Sequence, residues 1–495
     1  MNTSAPEHLG FVTKSSAIVG NIFIPKYYEP QVKKQIDALA NDYELLPVQN
    51  LVASNMLEIA TGDEIGKMAY GTGPIPFVRT SDITNWEIKS DPKQGVSEVI
   101  YNTYASKHDV RDGDILFVRD GTYLIGTSCL VTEHDGPMLY QSHLLKLRLA
   151  KEAPISSPLL LAILSSPAVR RQIKAKQFTA DIIDSIGHRF NELVLPVPKD
   201  KALCKKIERE VQDVLNERSR LRELLRGIPA WAQGIISSPS ALPDPAAEEV
   251  ENRNLGYILK YSHITSNIFM PKYYSPAIEE TLDGLRVENE LISLGELAEE
   301  GVLAFATGIE VGKMAYGTGT VPFIRTSDIS NWELKSDPKQ NVSEELYEDT
   351  RSALDVQAED IFVVRDGTYL VGTSCILTEH DTKILYCGGL YKIRVKNKEC
   401  LDPFLLLAIL NSPIVRRQMK AKQFTRDVID TLGKRLFEVV IPIPKDKARC
   451  KEIADEVRGL ITSRVSLRNR MRDIILEVAG ISKLSEEDEE ALDVA

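Results

Sequence analysis

Two segments of the chain carry a narrow apolar seam at helical spacing. Over residues 199–226 the apolar positions Leu203, Ile207, Val211, Val214, Leu221 and Leu225 are separated by threes, fours and one seven. In residues 445–478, Ile453, Val457, Leu460, Leu467 and Met471 form a similar seam. A seam this narrow on an otherwise charged segment predicts a long helix that pairs with another helix. A Pro-x-Pro stop precedes each one, Pro196/Pro198 and Pro442/Pro444. Upstream, short apolar runs such as residues 114–118 predict strands. Asp120-Gly121 and Asp366-Gly367 lie between β-rich runs and predict hairpin turns, because both residue types tolerate positive φ. An apolar stretch at 158–164 is followed by Ser166-Pro167, matched by Ser412-Pro413. Each pair reads as N-cap and first position of a further helix.

The whole pattern occurs twice. Residues 59–94 return as 305–340 at an offset of 246, and the same offset aligns Asn21 with Asn267, Arg119 with Arg365 and Cys204 with Cys450. From about residue 20 to residue 225 the register holds without insertion or deletion. A period this long is a duplicated domain, far above the 20–50 residues of a solenoid unit. The expected fold is α+β: two tandem, nearly identical β-rich modules, each followed by a long helix. The expected boundaries are 1–198 for the first module, 199–226 for its helix, 227–252 for a linker, 253–444 for the second module, 445–478 for its helix and 479–495 for an acidic, disordered tail. The linker is rich in Pro, Ala and Ser, and its length lets the second copy return past the first. The helices can then pack as an antiparallel coiled coil, with the modules at opposite ends and a pseudo-two-fold axis between them. A helix of about 28 residues spans roughly 42 Å.

Composition adds constraints. The formal net charge of −11 argues against a free-standing nucleic-acid binder. The charge is uneven, however. Residues 485–493 are strongly acidic, whereas Arg170, Arg171, Lys174 and Lys176 form a basic stripe repeated as Arg416, Arg417, Lys420 and Lys422. Residues 1–30 contain no uninterrupted apolar run, so no signal peptide is expected. Nor does any stretch approach membrane-spanning length. None of the six cysteines is in CxxC spacing, so no structural zinc is expected. A reduced, cytoplasmic setting fits.

Catalytic signatures are sparse. Gly62, Gly66, Lys67 and Met68 imitate a phosphate loop but are one residue short, and Met68 stands where a magnesium-binding hydroxyl belongs. Asp82, Glu87 and Lys89, repeated as Asp328, Glu333 and Lys335, suggest a nuclease-like set that would hold a metal. Their close spacing favours a strand-and-turn role instead. The sequence shows neither a nucleophile elbow nor an HExxH helix. His134 and His380 sit in polar turns. What remains is polar residues on β-rich loops: Lys67, Tyr70, Thr72, Arg79, Thr80, Ser81, Asn85, Arg119, Thr122, Gln141 and His143. Most recur in the second copy, as Lys313, Tyr316, Thr318, Arg325, Thr326, Ser327, Asn331, Arg365 and Thr368. Arginine can bond guanine in a bidentate way, hydroxyls reach phosphate, and glycines let a backbone approach. With the basic stripes, these are the candidate DNA-binding residues; no catalytic residue and no metal ligand is assigned.

The order of residues 75–88, 117–126 and 193–202, each leading toward a long helix and each duplicated, resembles the specificity subunit of type I restriction–modification systems. The resemblance covers residues 15–475. It implies two target-recognition domains, each reading half of a bipartite sequence in double-stranded DNA, with the helices as ruler and docking surface. It also implies partners: two methyltransferase subunits using S-adenosylmethionine, and motor-nuclease subunits using ATP and Mg. No cofactor is expected on this chain. Recognition domains of that family usually differ from each other, whereas these two nearly coincide, so a near-palindromic target is expected. The copies differ where Gln141-Ser142-His143 becomes Cys387-Gly388-Gly389, where Asp63 becomes Ile309 and where Ala180 becomes Arg426. Gln141 and His143 can read base edges and glycines cannot, so a base contact unique to the first module is expected. Other readings are a specificity subunit of a different DNA-defence complex, a metal-dependent nuclease, or a protein scaffold.

Overall fold

The computed structural model describes residues 11–20, 22–90, 92–121, 124–180, 183–235, 237–241, 257–265, 268–367, 370–426 and 429–481. The acidic segment 482–495 and residues 242–256 lie outside the described residues.

Each copy is built on a four-stranded antiparallel sheet. In the first copy the order is Leu57–Thr61, Leu144–Leu149, Ile115–Val118 and Ser128–Leu130. In the second it is Leu303–Thr307, Leu390–Val395, Ile361–Val364 and Ser374–Ile376. The run Ile115–Val118 reads as continuously apolar because both faces of its strand are covered. Ile115 and Phe117 face the helix side of the core, while Leu116 and Val118 join a second cluster with Leu144 and Tyr140. Beside it lies a smaller sheet of Gly95–Val96, Ile75–Val78 and Leu139–Tyr140.

The expected hairpin between the third and fourth strands exists, but Asp120-Gly121 is not its tight turn. The chain reverses at Leu124–Thr127, where Thr127 N–H donates to Leu124 O and Gly126 takes φ +91°. Asp120 instead bridges to Ser185. Its side chain is needed elsewhere, as described below.

Helix Ser157–Leu164 has almost no polar face, and it is buried on every side between sheet and long helix. Helix Pro167–Lys176 follows, with Ser166 at its N-cap position and no side-chain cap bond. The strand Val194–Pro198 then pairs with Tyr43–Pro47 and hands the chain to the first long helix, Lys201–Ala232. Asp200 caps it by accepting hydrogen bonds from Ala202 N–H at 2.8 Å and Leu203 N–H at 3.3 Å. Asp446 does the same for the second, Lys447–Val478. Asp200→Ala should therefore lower stability by about 1 kcal/mol, the usual loss at an N-cap. Urea unfolding of the full chain measures it, and an unchanged midpoint would contradict the cap's role.

The first long helix runs past residue 226, through Pro229, to Ala232. A proline in a helix interior removes a backbone hydrogen bond. Here Ile228, Trp231 and Ala232 are buried in the core of the second module, and that burial offsets the loss. The linker therefore starts later than its composition suggests.

The two long helices lie antiparallel. Lys206 pairs with Glu477 at 2.5 Å, Arg470 pairs with Glu210, and Arg449 Nη2 donates to Trp231 O at 2.7 Å. The N-terminal half of the first helix and the C-terminal half of the second share a core with the first module. The other two halves share a core with the second module. Each module thus occupies one end of the helix pair. The modules also meet in the middle, which the seams alone do not reveal.

Candidate nucleic-acid interface

Three loops of each module carry the residues singled out from the sequence. The first is the turn at residues 66–73. Gly66 and Gly71 take φ +76° and +70°. The Tyr70 ring packs on Phe77 at 5.6 Å between centroids. The Thr72 hydroxyl donates to Ala69 O at 2.8 Å and accepts from Ser97 N–H at 3.0 Å. Gly71 N–H donates to Gly95 O. The second module repeats every contact: Tyr316 on Phe323 at 5.7 Å, Thr318 to Ala315 O at 2.7 Å, Ser343 N–H to Thr318 at 3.0 Å and Gly317 N–H to Asn341 O. Tyr70, Thr72, Tyr316 and Thr318 thus brace the loop from within, and Lys67 and Lys313 stand exposed on it.

The second loop is the 3-10 turn Thr80–Asp82. Asp82 closes it by accepting from Arg79 N–H at 2.9 Å. Thr80 and Ser81 are half-buried, as are Thr326 and Ser327 in the matching turn. The Arg79 side chain is also half-buried, and its Nε donates to Gln141 Oε1 at 3.3 Å.

The third loop centres on Arg119 and Asp120. Arg119 Nη2 contacts Asp120 Oδ2 at 2.8 Å. His143 Nδ1 lies 3.0 Å from the same oxygen, and Ser185 Oγ donates to Oδ1 at 2.5 Å. Burial alone would raise the Asp120 carboxyl, but Arg119, Ser185 and His143 together hold it below its usual value. Arg365 repeats the contact with Asp366 at 2.6 Å and lies 5.6 Å from the Tyr391 ring, a residue with no aromatic counterpart in the first module. Thr122 and Thr368 lie outside the described residues.

Several candidates are placed differently from the expectation. Gln141 is 6% exposed and serves Arg79, so it does not present a free amide to a base edge. Asn85 and Asn331 are buried at the contact between modules. The basic stripe is not an open row of cations. Arg170 is 8% exposed, its Nη1 points at Ile125 O, and burial pushes its pKa down to about 10 against the attraction of Asp337 in the other module. Arg171 donates to Gln35 at 2.9 Å, and Arg417 to Thr281 at 3.3 Å. Lys176 pairs with Glu192 and sits over the Tyr27 ring; Lys422 does the same with Glu438 and Tyr273. Arg416 and Lys174 also have partners. Lys420 is exposed. Arg170 turns inward because it lies beside the buried Val169 and Ile173.

A buried network lies behind Asp63, one of the positions where the copies differ. His108 is buried, accepts from Tyr140 N–H on Nδ1 at 3.1 Å and faces Asp63 from Nε2 at 3.0 Å. That pattern requires the Nε2–H tautomer, and burial, its chief cause, lowers the His108 pKa. Lys107 adds a contact to Asp63 at 2.5 Å. In the second module the three positions are Ala353, Leu354 and Ile309, so the network is replaced as a unit by an apolar one. The joint change of these three positions at the repeat offset was the available signal.

The nuclease-like set resolves into a structural one. Residues Asn85 and Trp86 form a two-residue turn between Ile83–Thr84 and Glu87–Ile88, both with positive φ, 49° and 63°. Asn331 and Trp332 repeat it at 51° and 67°. Such turns favour Asn followed by Gly, and a Trp there is strained. Contacts across the pseudo-axis hold it. Asn85 Oδ1 accepts from Ser336 N–H at 2.7 Å, and Asn331 Oδ1 accepts from Ser90 N–H at 2.9 Å. Behind the turns, Glu87 and Glu333 share two guanidinium groups. Arg218 contacts Glu87 at 2.9 Å and also Glu333; Arg464 contacts Glu333 at 2.9 Å and also Glu87. Each arginine donates to the other's backbone carbonyl, at 2.7 and 2.8 Å. All four side chains are at most 2% exposed. Carboxylates so occupied are not an open metal site. Among the described residues no cluster of three or more His, Cys, Asp or Glu is placed to hold an ion.

Fold and loops together define a duplicated α+β protein whose two modules, fastened to each other and to an antiparallel helix pair, present matching loops about a pseudo-two-fold axis. No family model matches the chain, and no curated protein does. Among solved structures it is similar, over about nine-tenths of its length, to type I restriction–modification specificity subunits. One is the S subunit from M. genitalium, with 14% identity, 91% of this chain and 96% of that chain covered and a TM-score of 0.28. Another is the HsdS subunit from Thermoanaerobacter tengcongensis, with 16% identity, 89% and 95% covered and a TM-score of 0.23. The type IIG restriction endonuclease BpuSI matches 38% of this chain and 28% of its own at 10% identity, with a TM-score of 0.28. Superpositions this loose support no functional statement by themselves. No described helix is long and apolar enough to cross a membrane.

Proposed function

We propose that the chain is a DNA sequence-recognition subunit of a type I restriction–modification complex, a reader that docks methyltransferase subunits and carries no catalysis of its own. The observation that carries this reading is the pseudo-two-fold pairing of nearly identical modules. A duplex has the same kind of local dyad, so two like modules related by a two-fold axis read like words on opposite strands. Arg79, Arg119 and Arg365 are guanidinium groups partly open to solvent and steadied by Gln141, Asp120 and Asp366, as bidentate reading of guanine requires, and Arg325 stands half-buried at the position matching Arg79. The long helices then act as an antiparallel coiled-coil ruler between two half-sites. The acidic balance of the chain fits a reader whose partners supply part of the phosphate-binding surface. Those partners would be two methyltransferase subunits with S-adenosylmethionine, and motor-nuclease subunits with ATP and Mg, in the cytoplasm.

The target is expected to be bipartite and near-palindromic. Mapping methylated adenines in cells that express the chain with its methyltransferase tests this. A split motif whose halves are near reverse complements supports the reading. Two unrelated halves would sink the symmetry and keep the subunit. If an active methyltransferase yields no motif with this chain, the recognition role fails.

A further inference from the structure

The loop at residues 66–73 holds one side chain that neither the brace beneath it nor the proposed reading uses. Met68 is 92% exposed, and Met314, its counterpart, is 91% exposed. The eight residues of this loop are identical in the two copies. Here the tip touches nothing, yet the loop is pinned from within by the paired tyrosine and threonine contacts described above. The turn, made twice, holds an unbranched apolar side chain fully in water at the same place in each module.

We propose that Met68 and Met314 are the apolar reading elements of the two modules, each taking the 5-methyl group of a thymine in the major groove of its half-site. This deepens the recognition role and rests on it. The thymine methyl is the apolar group that a base pair shows in that groove. Met, with three rotatable bonds and a polarisable sulfur, adapts to such a group. The flanking Lys67 and Lys313 are exposed cations suited to the adjacent phosphate. A protein partner is disfavoured because the thioether stands alone among glycine, lysine and threonine, without the contiguous apolar patch that protein docking needs.

The test uses the full chain assembled with its methyltransferase subunits and random-sequence duplexes, with bound sequences recovered and counted for the wild type, Met68→Ala and Met314→Ala. Duplexes of the enriched sequence are then made with deoxyuridine for each thymidine, which removes the methyl alone. The expected result is a thymine whose replacement weakens wild-type binding about threefold to fivefold, as loss of one buried methyl does. In the alanine variant of the corresponding module the same replacement should change nothing. Both variants should keep the wild-type unfolding midpoint, since the side chain is exposed. If uracil acts equally on wild type and variants, or on neither, the methionine assignment is overturned while DNA reading stands. Binding that is uracil-insensitive, combined with lost methylation in cells, would give the loop to a protein partner and overturn it too. If the wild type enriches no sequence, the recognition role itself fails.

Discussion

Arg218→Met is expected to destabilise the protein by about 3–5 kcal/mol, because it leaves buried carboxylates short of a counter-charge. Glu87 and Glu333 are held close by two guanidinium groups, and removing one leaves both acids facing Arg464. Arg464→Met should cost as much, and the two changes together less than their sum, since they act on the same pair of acids. Replacing all four charges by apolar residues of similar volume should cost far less than either single change, as buried ion networks often do when removed whole. Urea unfolding of the full chain measures each variant. A loss below about 1 kcal/mol for Arg218→Met would show that the acids are hydrated or protonated instead. The same cluster sets an acid limit. Burial by itself would raise the Glu333 carboxyl, but Arg218, Arg464 and Arg468 together hold it at about 2. A depressed carboxyl pKa adds stability that is present above the unfolded value near 4.3 and lost as pH falls toward 2. Stability lost between those values in the wild type should be absent in the variant with all four charges removed.

The second large effect concerns specificity. Changing Gln141→Cys, Ser142→Gly and His143→Gly together should alter one half of the methylated motif and leave the other unchanged. Gln141 steadies Arg79, His143 shares the Asp120 carboxylate with Arg119, and Ser142 holds Glu64 at 2.5 Å. In the second module Cys387, Gly388 and Gly389 stand there, so Arg325 has no amide like that of Gln141 and Asp366 holds Arg365 without an imidazole beside it. The exchange therefore re-aims two arginines at once and should draw the first half-site toward the second. Discrimination at the affected base pairs should change by about 1–3 kcal/mol each. Methylation mapping reads it, and an unchanged motif would refute the positioning role. The reverse exchange is less clean, since a Cβ at Gly389 would lie 3.0 Å from Thr326.

The duplication, the order of elements and the long helices were legible because they depend on local patterning and on comparison of the chain with itself. The end of the first helix was not, because Pro229 reads as a stop until Ile228 and Trp231 find a core supplied by the other module. Arg170 looked like part of a basic surface, yet its place beside Val169 and Ile173 puts it on the buried side of a short helix. Asn85 reads as a loop residue for DNA, and Glu87 as part of a strand and turn. Their partners lie about 250 positions away in sequence, and no local rule connects them. Gln141 does mark a point of difference between the copies, but its partner is an arginine of the same module.

The stretch 79–94 differs from 325–340 at two of sixteen positions, Thr84/Ser330 and Ile88/Leu334. This is the stretch that crosses the axis, where Asn85 grips Ser336 and Asn331 grips Ser90. Each copy is therefore the mould of the other. A substitution on one side must be met by its twin, so after duplication this segment is held from drifting, while the loop around residue 141 is left to diversify. Any module recruited in place of one of these must bring the Asn-Trp turn and its glutamate with it, or arrive without a partner to hold.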